Sequence, residues 1–122
     1  MATPINPTYS RGEVVVVSFP FSDLSNQKLR PALVLMDVDG RDLVLCQITS
    51  QAAHDKIAIP LCNRDFAQGS LRLDSNIRPN KLFTFERSLI RYRCGRVNKG
   101  KIQQVVESII AMLTSQSAAT SS

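Results

Sequence analysis

The sequence predicts a mainly β fold of the α+β kind: a small, strongly bent antiparallel sheet or partly open barrel, closed by one C-terminal helix. Three observations carry that expectation. Residues 13 to 19 form a β-branched run, two apolar runs flank an Asp-Gly turn, and helical spacing of apolar residues is confined to the region after residue 101. A chain of 122 residues, 43% hydrophobic and 20% charged, can build one core but not two. One domain is therefore expected over residues 11–114, with a loose arm at 1–10 and a small polar, disordered tail at 115–122 that has nothing to bury.

The run from Glu13 to Phe19 is too short for a helix, and its branched side chains suit a pleated strand. Pro20 ends it. Residues 21–30 read as a polar connection, because Ser, Asp and Asn side chains bond to nearby backbone and favour turns. Proline is tolerated at a strand's first residue, so Pro31 opens a second strand through Met36. The Asp39-Gly40 turn then leads into residues 42–49, and the two strands read as a hairpin. Apolar runs at 57–61, 71–73 and 81–85, separated by Asn, Asp and Gly, are expected to be short strands. Ile102, Val105, Val106, Ile109, Ile110 and Leu113 recur at spacings of three and four, which places them on one face of a helix. That face needs cover, and the open side of the sheet is its nearest partner.

The net charge of +5 is not spread evenly. Residues 72–101 hold nine basic residues against Asp74 and Glu86, a balance of +7, while the segments on either side are each −1. Such a segment is either a solvated basic face or a surface for an anionic partner. Three cysteines without a CxxC spacing indicate neither a disulfide framework nor a zinc site, and they read as small buried thiols. One histidine, His54, excludes a two-histidine acid/base pair. No window approaches the ~20 apolar residues of a membrane-spanning helix, and the N-terminus lacks the basic-then-apolar order of a signal peptide, so a cytoplasmic protein with no membrane contact is expected.

Three segments in order are distinctive: Arg11-Gly-Glu followed by four valines, Lys28-Leu-Arg-Pro-Ala-Leu-Val-Leu35, and Cys46-Gln-Ile-Thr-Ser50. With Ile77-Arg-Pro-Asn-Lys-Leu-Phe-Thr84 and Gly95-Arg-Val before the helix, they resemble the MazF/PemK (Kid) family of toxin-antitoxin ribonucleases over residues 11–113. The resemblance implies a homodimer of an SH3-like barrel that acts as the toxin of a type II pair. It also implies cleavage of single-stranded mRNA without a metal or other cofactor, by attack of the ribose 2′-OH to leave a 2′,3′-cyclic phosphate. The implied partners are the RNA substrate and an acidic antitoxin, with DNA bound only through the antitoxin complex. Two alternatives are a MazF-like module that binds RNA or antitoxin without cutting, and a gyrase poison like CcdB. The second would end its helix with a tryptophan, and this chain has none.

Arg30 matches the family's catalytic arginine. A guanidinium presents a planar fork of donors that fits two phosphate oxygens as they gain charge in the transition state. Thr49 matches the catalytic threonine or serine; its hydroxyl, with that of Ser50 beside it, can donate to a phosphate oxygen and position the nucleophile. Arg78 falls where some members bind phosphate or assist acid catalysis. Asn80 stands where those members carry an aspartate proposed as general base, and an amide cannot take that proton at neutral pH. Asp23 is the carboxylate of the first loop and the candidate to replace it. Lys28 and Lys81, with the arginines of 87–96, could contact phosphates. Phe21 is the loop aromatic best placed to stack on a base.

Overall fold

A computed structural model describes residues 8–19, 28–51 and 56–120 of the chain. The elements are β1 (Glu13–Phe19), β2 (Lys28–Asp37), β3 (Asp42–Thr49), β4 (Ile59–Leu61), β5 (Phe66–Gly69), β6 (Ser75–Glu86), β7 (Ile90–Val97) and α1 (Lys99–Thr120). All the strand pairs are antiparallel and form one sheet in the order β4-β6-β3-β2-β1-β7-β5, curled into a half-barrel with the helix against it.

The β2–β3 hairpin turns where Asp-Gly predicts. Gly40 takes a φ of +81°, a conformation that costs an L side chain about 1–2 kcal/mol. Asp37 Oδ1 accepts the Gly40 N–H, and Asp39 Oδ1 accepts those of Arg41 and Asp42. β2 begins at Lys28, ahead of the proline, because Lys28, Leu29 and Arg30 find partners in Phe19, Ser18 and Val17 of β1. Three expectations need correcting. The run at 71–73 is not a strand, that at 57–61 shortens to Ile59–Leu61, and that at 81–85 is the second half of a twelve-residue β6. β5 has no alternating apolar pattern of its own, whereas β7 alternates Ile90, Tyr92 and Cys94 with Arg91 and Arg93, a strand signal absent from the expectations above. They form because β7 pairs with β1 and β5 pairs with β7. Pro79 is tolerated inside β6 because the register jumps there, from Cys46 opposite Leu82 to Gln47 opposite Arg78.

The sheet buries apolar side chains on both faces. Val14, Leu33, Leu35, Cys46, Ile48 and Ile77 pack with Val105 of α1, and Ile102 and Ile109 close over them. The other face gathers Tyr9, Val15, Val17, Ala32, Val34, Leu43, Leu45 and Phe85. β1 is thus hydrophobic at consecutive positions because alternate valines serve opposite cores. The helix starts at a cap in which Asn98 Oδ1 accepts the Lys101 N–H at 2.8 Å. Its predicted apolar face is only partly used, since Ile110 and Leu113 are 56% and 67% exposed. α1 also continues to Thr120, so the boundary expected at 114–115 falls inside it.

Candidate active site

The antiparallel register decides which side chains are neighbours. Val17 lies opposite Arg30, and Ala32 opposite Gln47. The β2–β3 pairing ends at Ala32 opposite Gln47, so Arg30 and Thr49 each lie two residues beyond it, at the same end of the sheet. Across β3, Thr49 lies opposite Asn76 and Gln47 opposite Arg78. One rung therefore crosses β2, β3 and β6 at Ala32, Gln47 and Arg78. Residues two apart on a strand share a face, so Arg30, Thr49 and Arg78 lie on one face at one end of the sheet.

Arg30 and Arg78 are half-buried, and Thr49 is 8% exposed. Thr49 Oγ1 accepts the Gln51 N–H at 3.1 Å, so toward a ligand the hydroxyl can act as a donor. Asn76 Nδ2 donates to the Gln51 carbonyl at 3.4 Å and so helps to hold the chain where it leaves β3. Ser50 follows Thr49 and is exposed, and Lys28 is exposed at the start of β2. Asn80 and Lys81 are not brought to this rung. Both lie in the three residues that bulge out between Arg78 and Leu82, where Asn80 borders a separate cleft with Lys56, Pro60, Gln104 and Ser108. Phe21, Asp23 and His54 lie outside the described residues.

Beside the Arg30 end is a cavity of about 450 Å³. Pro31, Val16 and Tyr92 form one rung across β2, β1 and β7, and all three line it. Arg30, Ser50, Arg72 and Ser75 also border it, and among the described residues no carboxylate does. Local sequence pattern marks none of Arg72, Ser75 and Tyr92 for a site. They reach this place from a loop, a strand start and the middle of β7. The basic balance of 72–101 was the one signal pointing to that region.

That basic segment is not a single outward surface. Arg93 Nε contacts the buried Glu13 carboxylate at 2.6 Å, and an Arg96 nitrogen reaches it at 3.6 Å. The same arginines donate to Thr8 O, Ser10 Oγ and Arg11 O, and the Arg93 guanidinium sits over the Tyr9 ring at 4.8 Å. They fasten residues 8–11 to β7. Lys101 Nζ similarly donates to Pro60 O and pairs with Asp65 at 3.7 Å. Arg72, Lys81, Arg91 and Lys99 are exposed.

The cysteines differ from one another. Cys46 is fully buried, and its burial pushes the thiol up to about 12, which leaves no thiolate for nucleophilic work. Cys94 is raised for the same reason, while Cys62 and Cys94 are only half-buried, unlike the uniformly buried thiols expected. Among the described residues no group of three or more His, Cys, Asp or Glu side chains could hold a metal, and no helix is long and apolar enough to cross a membrane.

Comparison with known proteins follows the same lines. Residues 10–113 match the sequence model of the family described as PemK-like, MazF-like toxin of type II toxin-antitoxin system. Comparison with curated protein sequences finds no match. Among solved structures, an endoribonuclease from Mycobacterial species superposes with a TM-score of 0.68 at 14% identity, over 91% of this chain and 96% of that one. MazF of Deinococcus radiodurans gives 0.68 at 19% identity, over 89% and 99%. A MazE-MazF complex from the same organism gives 0.69 at 18%, over 87% and 96%. At these identities the superpositions establish the fold, and the family match over most of the chain establishes the kinship. The chain belongs to the PemK-like, MazF-like toxin family of type II toxin-antitoxin systems.

Proposed function

We propose that this chain is the toxin of a type II pair and acts as a metal-independent endoribonuclease that cuts single-stranded mRNA at specific sequences. The observation that supports the reading is that Arg30, Thr49 and Arg78 share one face at one end of the sheet, around the rung of Ala32, Gln47 and Arg78. An arginine beside a hydroxyl donor suits a phosphodiester. Arg30 holds two non-bridging oxygens, and Thr49 donates to a third position or orients the nucleophile. The 2′-oxygen forms a bond to phosphorus, the bond from phosphorus to the 5′-oxygen breaks, and a 2′,3′-cyclic phosphate remains. The 2′-OH proton goes to a base, for which Asp23 is the candidate because Asn80 is an amide, and the leaving 5′-oxygen takes up a proton. Charge develops on the phosphoryl oxygens as this happens, so a preorganised guanidinium lowers the barrier more than it tightens substrate binding.

Solved relatives include complexes with MazE and with a cognate antitoxin, which supports an antitoxin partner for this chain. Its charge calls for an acidic one. A homodimer, cytoplasmic location and DNA contact only through the antitoxin complex complete the proposal. The test is cleavage of single-stranded RNA in EDTA, with the ends read for cyclic phosphate. Arg30→Ala should lose about 100- to 1,000-fold in kcat while its thermal melt is unchanged. Cleavage undiminished in that variant would overturn the mechanism. RNA binding without cleavage by the native chain would select a non-catalytic module, the reading that Asn80 favours.

A further inference from the structure

We infer that the 450 Å³ cavity beside Arg30 holds an unpaired nucleobase next to the cleaved phosphate, and that Tyr92, Arg72 and Ser75 help set which base is accepted. This rests on the ribonuclease reading and adds a specificity site to it. The floor is the apolar rung of Pro31 and Val16, with Ile48 beside it. Tyr92 ends that rung and is 55% exposed, so its ring can offer a face to a ligand at little cost in packing. Leu73, 65% exposed, stands at the rim. The volume falls within the ~300–1,000 Å³ typical of small-ligand sites.

The polar groups narrow the ligand's chemistry. Ser75 Oγ gives its proton to the Leu73 carbonyl at 2.9 Å, so toward a ligand it can only accept. Arg30 and Arg72 supply positive charge, and among the described residues no carboxylate lines the cavity. A flat apolar face, an N–H edge and an adjoining negative charge describe a nucleobase on a phosphodiester strand. Arg30 and Ser50 both border the cavity. A strand whose phosphate is held by Arg30 therefore reaches the cavity with an adjacent nucleotide. Stacking is how proteins hold unpaired bases, and its removal usually weakens binding on the order of 10- to 100-fold per base.

The experiment uses the full chain with a random single-stranded RNA pool, its cut sites read by sequencing. Binding is measured in parallel with an oligonucleotide of the preferred sequence carrying a 2′-deoxy group at the cut site. Tyr92→Ala should relax the preference at one position flanking the cut and weaken the oligonucleotide about 10- to 100-fold. Tyr92→Phe should preserve both, Arg72→Ala should weaken binding with a reduced salt dependence, and Val38→Ala, in the hairpin, should change neither. Native cleavage with the same preference and affinity in Tyr92→Ala overturns the inference and leaves the ribonuclease reading intact. A native chain that neither binds nor cuts RNA overturns both. Binding without cutting, weakened by Tyr92→Ala, upholds the base site while the catalytic reading falls. A Tyr92→Ala variant that loses only an acidic antitoxin peptide would assign the cavity to a protein partner and overturn the inference.

Discussion

Three glycines separate two costs of adding a methyl group. Gly40 has a φ of +81° with nothing within 4 Å of its would-be Cβ, so Gly40→Ala bears backbone strain alone. Gly95 carries no such φ, but a Cβ there would lie 2.2 Å from the Gln68 carbonyl oxygen, so Gly95→Ala bears the clash alone. Gly69, opposite Gly95, has both: a φ of +74° and a Cβ only 2.1 Å from the Cys94 carbonyl oxygen. Strain at positive φ costs about 1–2 kcal/mol. The clash cannot be relieved by a side-chain rotation, because both partners are backbone. β5 and β7 must part by roughly 0.8 Å or more to restore contacts of 3.0 Å, an overpacking that costs about 1–3 kcal/mol. Lower entropy of the unfolded chain returns about 0.4–1 kcal/mol to every Gly→Ala change. At roughly 3–5 °C per kcal/mol for a domain of this size, Gly69→Ala should melt about 3–23 °C lower than the native chain. Gly95→Ala should fall by no more than about 13 °C and Gly40→Ala by no more than about 8 °C. The assay is thermal unfolding followed by circular dichroism at one protein concentration. A Gly69→Ala variant no less stable than Gly40→Ala would refute the close approach of β5 to β7.

Two further predictions concern titratable groups. Burial acts to raise the Asp65 carboxyl, but the Cys62 N–H at 2.9 Å and Lys101 outweigh it, and the group lies below its ordinary 3.8. A depressed folded value means stability that is present above pH 4 and is lost as the pH falls through the folded value. Asp65→Asn should therefore melt a few degrees lower at pH 7, for a loss of about 1 kcal/mol, and the two melts should converge as the pH falls below the ordinary 3.8; a difference that stays constant there would contradict the charged pairing. With its thiol pushed up to about 12, Cys46 should resist iodoacetamide in the native chain at pH 8 and react fully in urea, as read by intact mass. Rapid native labelling of Cys46 would contradict its place in the core.

Much of the fold was legible in local pattern. The valines of β1, the Asp-Gly hairpin and the helical spacing after Ile102 each follow from the side chains of a few neighbouring residues, so sequence could specify them. β5 could not be read that way, since its stretch is mixed and what holds it extended is a ladder to β7. β7 does alternate from Ile90 to Cys94, but its bulged pairing with β1 is a matter of tertiary structure. The same division applies to the basic segment. Composition located the charge, yet only the packed structure commits Arg93 and Arg96 to Glu13 and Lys101 to Asp65.

The candidate site divides along that line too. The sequence by itself determined the chemical types available and their order, including Arg30 before Pro31 and Thr49 at the end of its strand, because these are covalent facts. It also carried the family resemblance. Tertiary structure alone decided which of these groups meet. The antiparallel register brings Arg30 and Thr49 to the same end and face of the sheet, the jump at Pro79 carries Asn80 and Lys81 away from them, and β7 delivers Tyr92 to a cavity that no motif announces. The physical reason is that opposition across a sheet depends on a strand register set by the whole core, and a one-residue slip would send Arg30 to the other face.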